Sequence, residues 1–140
     1  MGVVLDFIEK LRNNPKQLVI LGDGLQKKSY LYIDDCVDAV FCALNAFLDG
    51  SNRVDVYNVG SVDQVDVNRI AELVVEEMNL KDVEFVHSSR VEGGRGWRGD
   101  VKFMHLLSEK LRRQGWKPKH KSEEAIRIAA RGYYQKFELF

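Results

Sequence analysis

Apolar and polar positions along this chain switch repeatedly between the helical and the extended period. In "VVLDFIEKLRNNP" the residues Val4, Phe7, Ile8 and Leu11 share one helical face, and Asn13, Asn14 and Pro15 stop the helix. "QLVIL" is a short apolar run closed by Gly22-Asp23-Gly24, a strand followed by a turn. "YLYI" predicts another short strand. A helix from about Cys36 to Phe47 follows, capped by Asp34 or Asp35, with Val37, Val40, Phe41 and Leu44 as its apolar positions. "VDVYNVG", residues 54–60, alternates and ends in glycine, which predicts a strand. A helix from about Val67 to Met78 and a strand at "VEFVH" come next. The segment from Ser88 to Gly99 reads as loop. "KFMHLLSEKLRRQG" contains a helix stopped by Gly115, and Ser122 opens a last helix through about Phe137.

Strands with helices between them indicate an α/β or α+β layer with short strands and about five helices. The strands are few, and the first element is an amphipathic helix rather than a strand. A complete doubly wound sheet opens with a strand. The pattern therefore predicts one domain over residues 1–140 that is part of a larger unit, with no complete dinucleotide-binding sheet.

Composition narrows the partners. The chain has 140 residues, 45% of them hydrophobic, enough for a real core. Lys+Arg and Asp+Glu stand at 21 each, so no overall charge favours nucleic acid or a membrane surface. No run reaches the ~18 apolar residues of a membrane span. The start does not resemble a signal peptide, so a cytoplasmic setting is expected. Cys36 and Cys42 lie about 240° apart on a helix and read as buried thiols rather than a disulfide or metal pair. His87, His105 and His120 lack metal-ligand spacing. Trp116 in "QGWKP" reads as an aromatic plug at the end of the domain.

Two stretches could carry chemistry. "GDGLQKKSYLYIDD" brings two glycines for a tight turn, Lys27 and Lys28 for a phosphate, and Tyr30 and Tyr32 on one side of a strand. "VEGGRGWRGD" places Arg95 and Arg98 around Trp97, with Asp100 behind them. Arginine forks suit diphosphate oxygens, and a carboxylate accepts from a vicinal diol. A ligand with both a phosphate and a sugar diol would use the set together. A solvated turn and a flexible basic loop account for the same residues. Gly93, Gly96 and Gly99 spell a dinucleotide-like spacing, but several polar residues separate it from "VEFVH" and no ribose-binding acid follows at the expected point.

In order, "GDGLQKKSYLYIDDCVDAV", "VYNVGS", "GRGWRGDV" and "GWKPK" with "SEEAIRIAA" resemble the extended short-chain dehydrogenase/reductase family, in particular its NAD-dependent nucleotide-sugar epimerases and dehydratases of the UDP-glucose 4-epimerase type. The likeness covers the C-terminal, substrate-binding half of such an enzyme. It implies that Lys28 stands where an arginine contacts the nucleotide diphosphate and that Tyr30 lies near the same nucleotide. It implies Arg95 or Arg98 as the second diphosphate arginine, Asp100 on the ribose hydroxyls, and Val4 facing the base. The family's cofactor glycines and its catalytic Tyr-x-x-x-Lys are missing. The resemblance thus implies a nucleotide-sugar-binding region that is not catalytic and binds no cofactor alone. NAD belongs to the full-length enzyme, and the partner is the NAD-binding half. The same resemblance leaves open a 4,6-dehydratase substrate domain or a non-catalytic regulatory module. A separated half should also expose apolar surface and self-associate through it.

Overall fold

The structure, a computed structural model, describes residues 2–50, 54–88 and 92–138. Among them are five helices: α1 (Val3–Asn13), α2 (Ile33–Leu48), α3 (Val67–Glu77), α4 (Glu109–Arg112) and α5 (Ser122–Glu138). The strands are β1 (Gln17–Leu21), β2 (Lys27–Lys28), β3 (Val65–Asp66), β4 (Glu84–Ser88) and β5 (Phe103–Met104). β1 pairs with β4 in parallel, Gln17 opposite Glu84 through Leu21 opposite Ser88. β2 is the centre of a second sheet, antiparallel to β3 and parallel to β5.

The main core lies on one face of β1. Leu18 and Ile20 point inward to Phe7, Ile8 and Leu11 of α1, to Leu73 and Val74 of α3, and to Ile126 of α5. Each such side chain contributes about 1.5–3 kcal/mol by leaving water. Local signals fix the helix ends. The chain turns extended at Asn14, just before Pro15. The Asp66 carboxylate accepts the Arg69 amide at 2.8 Å and opens α3. Gly115, at φ 95°, ends the α4 region. Arg69 to Glu123 and Arg127 to Glu77 tie α3 to α5. A smaller cluster of Ala39, Leu111 and Trp116 joins α2 to α4. Trp116 is 5% exposed, and its indole Nε1 donates to the Asp35 carbonyl at 3.1 Å, the plug its sequence context predicts.

The structure corrects several expectations. "YLYI" forms no strand: the Tyr30 amide donates to Ser122 Oγ at 3.0 Å, and that hydroxyl donates back to the Tyr30 carbonyl. A side chain of α5 takes the place of a ladder. Residues 54–60 also form no strand, because no neighbouring strand pairs with them among the described residues. α2 begins at Ile33, and its N-cap is Tyr32 with no side-chain cap. Asp35 is instead buried inside the first turn, accepting the amides of Lys119 and His120 and the His120 ring. Val37, Val40, Phe41 and Leu44 face outward, and the opposite face of α2 packs inward. Cys36 and Cys42 are half-buried free thiols rather than buried ones. Residues 89–91 of the predicted loop lie outside the described residues.

Candidate functional site

Two loops far apart in sequence meet because glycine lets them touch. Gly22 and Gly24 hold φ of 84° and 73°. A Cβ on Gly22 would lie 2.5 Å from the Gly94 carbonyl oxygen, and one on Gly24 would lie 1.9 Å from Asn68 Oδ1. The 22–24 turn is thereby pressed against both the arginine-bearing loop and the start of α3. Hydrogen bonds seal the contact. The Asp23 amide donates to Gly94 O at 2.8 Å. Lys102 Nζ bridges Asp23 Oδ2 at 2.8 Å and Gly93 O at 2.9 Å. β2 then runs beside β5, so Lys28 and Asp100 arrive together.

Their meeting point is a cleft of about 420 Å³, walled by Gln26, Lys28, Tyr30, Trp97 and Asp100, with Phe7 of α1 behind them. Lys28 Nζ donates to Asp100 Oδ1 at 2.8 Å. The other carboxylate oxygen receives Gln26 Nε2 and the Gly96 amide, each at a long 3.4 Å. Asp100 is 8% exposed. Burial alone would raise its pKa, but Lys28, with help from Gly96 and Gln26, holds it below the usual carboxylate range. At neutral pH it is an acceptor with lone pairs to spare. Burial, then the Asp100 charge, pushes the Tyr30 phenol up, so Tyr30 stays a protonated donor. That shift runs opposite to what a tyrosinate base needs.

Of the candidates, the structure brings Lys28, Tyr30 and Asp100 into one cleft. Arg95 and Arg98 have exposed side chains with no partner among the described residues, and they are not part of the cleft wall. Their backbone still forms the loop that closes it. Val4 lines a separate apolar groove of about 510 Å³ with Tyr32, Ile126 and Tyr133; Tyr30 is the wall between the two spaces. Gln26 was given no role from sequence. It is 2% exposed, its amide nitrogen is held by Asp100 and the Leu21 carbonyl, and its Oε1 has no partner among the described residues. The fifth position of the Gly-Asp-Gly-x-Gln run was the signal that could have found it.

The spaced glycines do not fit a dinucleotide. A single 3₁₀ turn at Glu92–Gly94 stands where a helix would have to begin, and the chain proceeds to β5 instead. Among the described residues no cluster of His, Cys, Asp and Glu could hold a metal ion. No helix among them is long and apolar enough to cross a membrane.

Comparison with known proteins agrees with this architecture. Residues 1–60 match the model of the NAD dependent epimerase/dehydratase family. GDP-mannose 3,5-epimerase from Arabidopsis thaliana is 33% identical over 122 residues, 87% of this chain and 29% of that protein. A solved UDP-galactose 4-epimerase superimposes with TM-score 0.82 at 36% identity, over 97% of this chain and 41% of the other. A UDP-glucose 4-epimerase from Thermotoga maritima, solved with UDP-glucose, gives 0.73 at 28% identity, over 98% and 40%. The chain thus spans under half the length of each of these relatives. Sequence and fold agree: the chain carries a partial match to the NAD dependent epimerase/dehydratase family model and is similar, over part of their length, to α/β epimerases of that kind.

Proposed function

We propose that residues 1–140 form the substrate-binding, C-terminal part of a nucleotide-sugar epimerase, and that the Lys28–Asp100 cleft grips a nucleotide-sugar diphosphate. The observation that carries this is an ionised, nearly buried Asp100 with two weakly used lone pairs beside an ammonium and a neutral phenol. In this reading Asp100 accepts the ribose hydroxyls. Lys28 has two further N–H donors for a phosphate oxygen, and Tyr30 donates its hydroxyl. Arg95 and Arg98, exposed on the loop beside the cleft, are the cations that fold over the diphosphate when it arrives. Val4, across Tyr30, contributes to an apolar wall for the base. The 36% identity with UDP-galactose 4-epimerase favours epimerase over dehydratase as the parent chemistry.

A nicotinamide cofactor in the parent enzyme would take and return hydride. This chain's residues supply the grip: charge for the phosphates, a carboxylate for the diol, and the Trp97 ring at the mouth of the cleft. A reducing cytoplasmic setting suits its two free thiols. Calorimetric titration with UDP, UDP-glucose and NAD tests the reading. UDP-glucose should saturate one site, and Asp100→Ala should weaken it at least tenfold. Arg95→Ala with Arg98→Ala should weaken UDP as well. No binding of either nucleotide would remove the proposal, and turnover of a nucleotide sugar by this chain alone would overturn its non-catalytic part.

A further inference from the structure

Asp6 is a charged side chain of the cleft wall that the grip on phosphate and diol leaves unused. Among the described residues the wall carries three charged groups, Lys28, Asp100 and Asp6. The first two hold each other. Asp6 comes from a different wall, the first turn of α1. Val3, Asp6, Phe7 and Lys10 follow the i, i+3, i+4, i+7 spacing of one helical stripe, and the first three of them line the cleft. A carboxylate in a first turn suits the helix dipole from any side of the helix. The dipole therefore does not explain why this one stands on the stripe that meets the cleft.

Asp6 and Lys10 together form a pattern of acceptor and donor. Lys10 Nζ donates to Asp6 Oδ2 at 2.6 Å and to the Val19 carbonyl at 3.2 Å. Two of the three ammonium N–H groups are used there, which leaves one. Asp6 Oδ1 has no hydrogen-bond partner among the described residues. The two side chains are 40% and 32% exposed, so a ligand can reach both. In the same cleft Leu21 and Trp97 present exposed apolar surface and Phe7 backs them. A flat ring can lie against that surface with its polar edge turned to α1.

The bases differ in how they meet such a pair. Guanine carries two adjacent donors, N1–H and the 2-amino group, with the O6 acceptor beside them. A carboxylate takes both donors, one on each oxygen, and the unused Lys10 N–H suits O6. Uracil and thymine carry one N–H between two carbonyls, so the second carboxylate oxygen would face another oxygen. Adenine and cytosine set a ring-nitrogen lone pair beside their amino group, with the same conflict. We infer that Asp6, supported by Lys10, reads the base and selects guanine, so that the ligand class of this cleft is a guanosine diphosphate derivative. The inference rests on the reading of the Asp100 cleft as a nucleotide-diphosphate site, and it adds which base that site prefers.

The test is calorimetric titration of the intact chain with GDP, UDP and inosine diphosphate, which is GDP without the 2-amino group. GDP should bind about tenfold more tightly than either of the others. Asp6→Asn keeps the side chain's shape but turns one acceptor into a donor. It should bring GDP to within about threefold of UDP, with UDP affinity and the circular dichroism of the chain unchanged. UDP bound as tightly as GDP, GDP and inosine diphosphate bound alike, or a GDP preference that survives Asp6→Asn would each overturn the inference, while nucleotide binding that depends on Asp100 would still stand. If none of the three nucleotides binds, the reading of the cleft falls and this inference falls with it.

Discussion

Lys28→Met removes the one cation bonded to Asp100 among the described residues and leaves that carboxylate with two 3.4 Å hydrogen bonds. Breaking a fully buried pair costs about 3–5 kcal/mol, whereas an exposed pair is worth about 0–1. The Asp100 side chain is 7% exposed, but Lys28 keeps 30%, so water screens one end. The expected loss lies between, at about 1.5–2 kcal/mol at pH 7. Its pH dependence has a definite sign. The folded pKa of Asp100 is below its ordinary value of 3.8, so the stabilisation is present above that value and lost as pH falls through the folded pKa. Urea unfolding at pH 7 and pH 2.5 should show the difference between wild type and variant shrinking at the lower pH, with similar m-values. A cycle with Asp100→Asn should give a coupling of about 1 kcal/mol. A loss under about 0.5 kcal/mol at pH 7, or one that stays constant down to pH 2.5, would refute the pairing as an energetic unit.

Other outcomes follow from the same geometry. Gly22→Ala forces a left-handed alanine into the Gly94 carbonyl, so it should cost at least ~2 kcal/mol in thermal or urea unfolding and weaken UDP-glucose as the loop is pushed away. Asp35→Asn should cost about 2 kcal/mol at pH 7. Burial pushes the Asp35 pKa up, but the amides of Lys119 and His120 and the His120 ring bring it below normal, so that loss should fade below about pH 4. Leu73→Ala, at a fully buried α3 position, should cost about 2–5 kcal/mol by calorimetry. In a Trp116→Phe background the remaining emission comes from Trp97, 60% exposed, and should be open to acrylamide and become shielded by UDP-glucose; unchanged quenching at saturation would place the ligand elsewhere.

The elements that were legible in the sequence are those whose partners lie within it. α1, β1, α3, β4 and α5 bury one another, so the period of their apolar residues named both the element and its inward face. Lys28 and Asp100 of the cleft were picked out by the family resemblance, since their turn and loop patterns fit a solvated surface equally well; their bond to each other is seen only in the structure. Two-residue strands such as β2, β3 and β5 were not, because two residues cannot display a period. Gln26 was missed for a different reason. A buried amide leaves no mark in hydropathy, and only the close packing around the Gly22 turn makes its burial necessary.

The misread elements have one physical cause. For "YLYI", a short apolar run, and residues 54–60, an alternating one, the pattern predicted strands, but a strand is a pair and not a sequence property. Where Ser122 of α5 could supply hydrogen bonds, Tyr30 took them and the ladder never formed. Where no segment among the described residues pairs with them, residues 54–60 form no ladder, and the Val56 carbonyl accepts Lys110 Nζ instead. The same logic explains α2. Its apolar stripe has the right period, but period identifies a face without saying what covers it, and inside this chain the small side chains of Ala39 and Ala43 make the better contact with Trp116 and Leu111. This helix packs its small face inward and leaves Phe41 in water, and the Asp35 network and the Trp116 plug anchor it at one end. Weakening that anchor, as Asp35→Asn does, should therefore loosen α2 in hydrogen exchange before it disturbs the β1 core. Uniform loss of protection across α2 and β1 would mean that the helix is held by the main core after all.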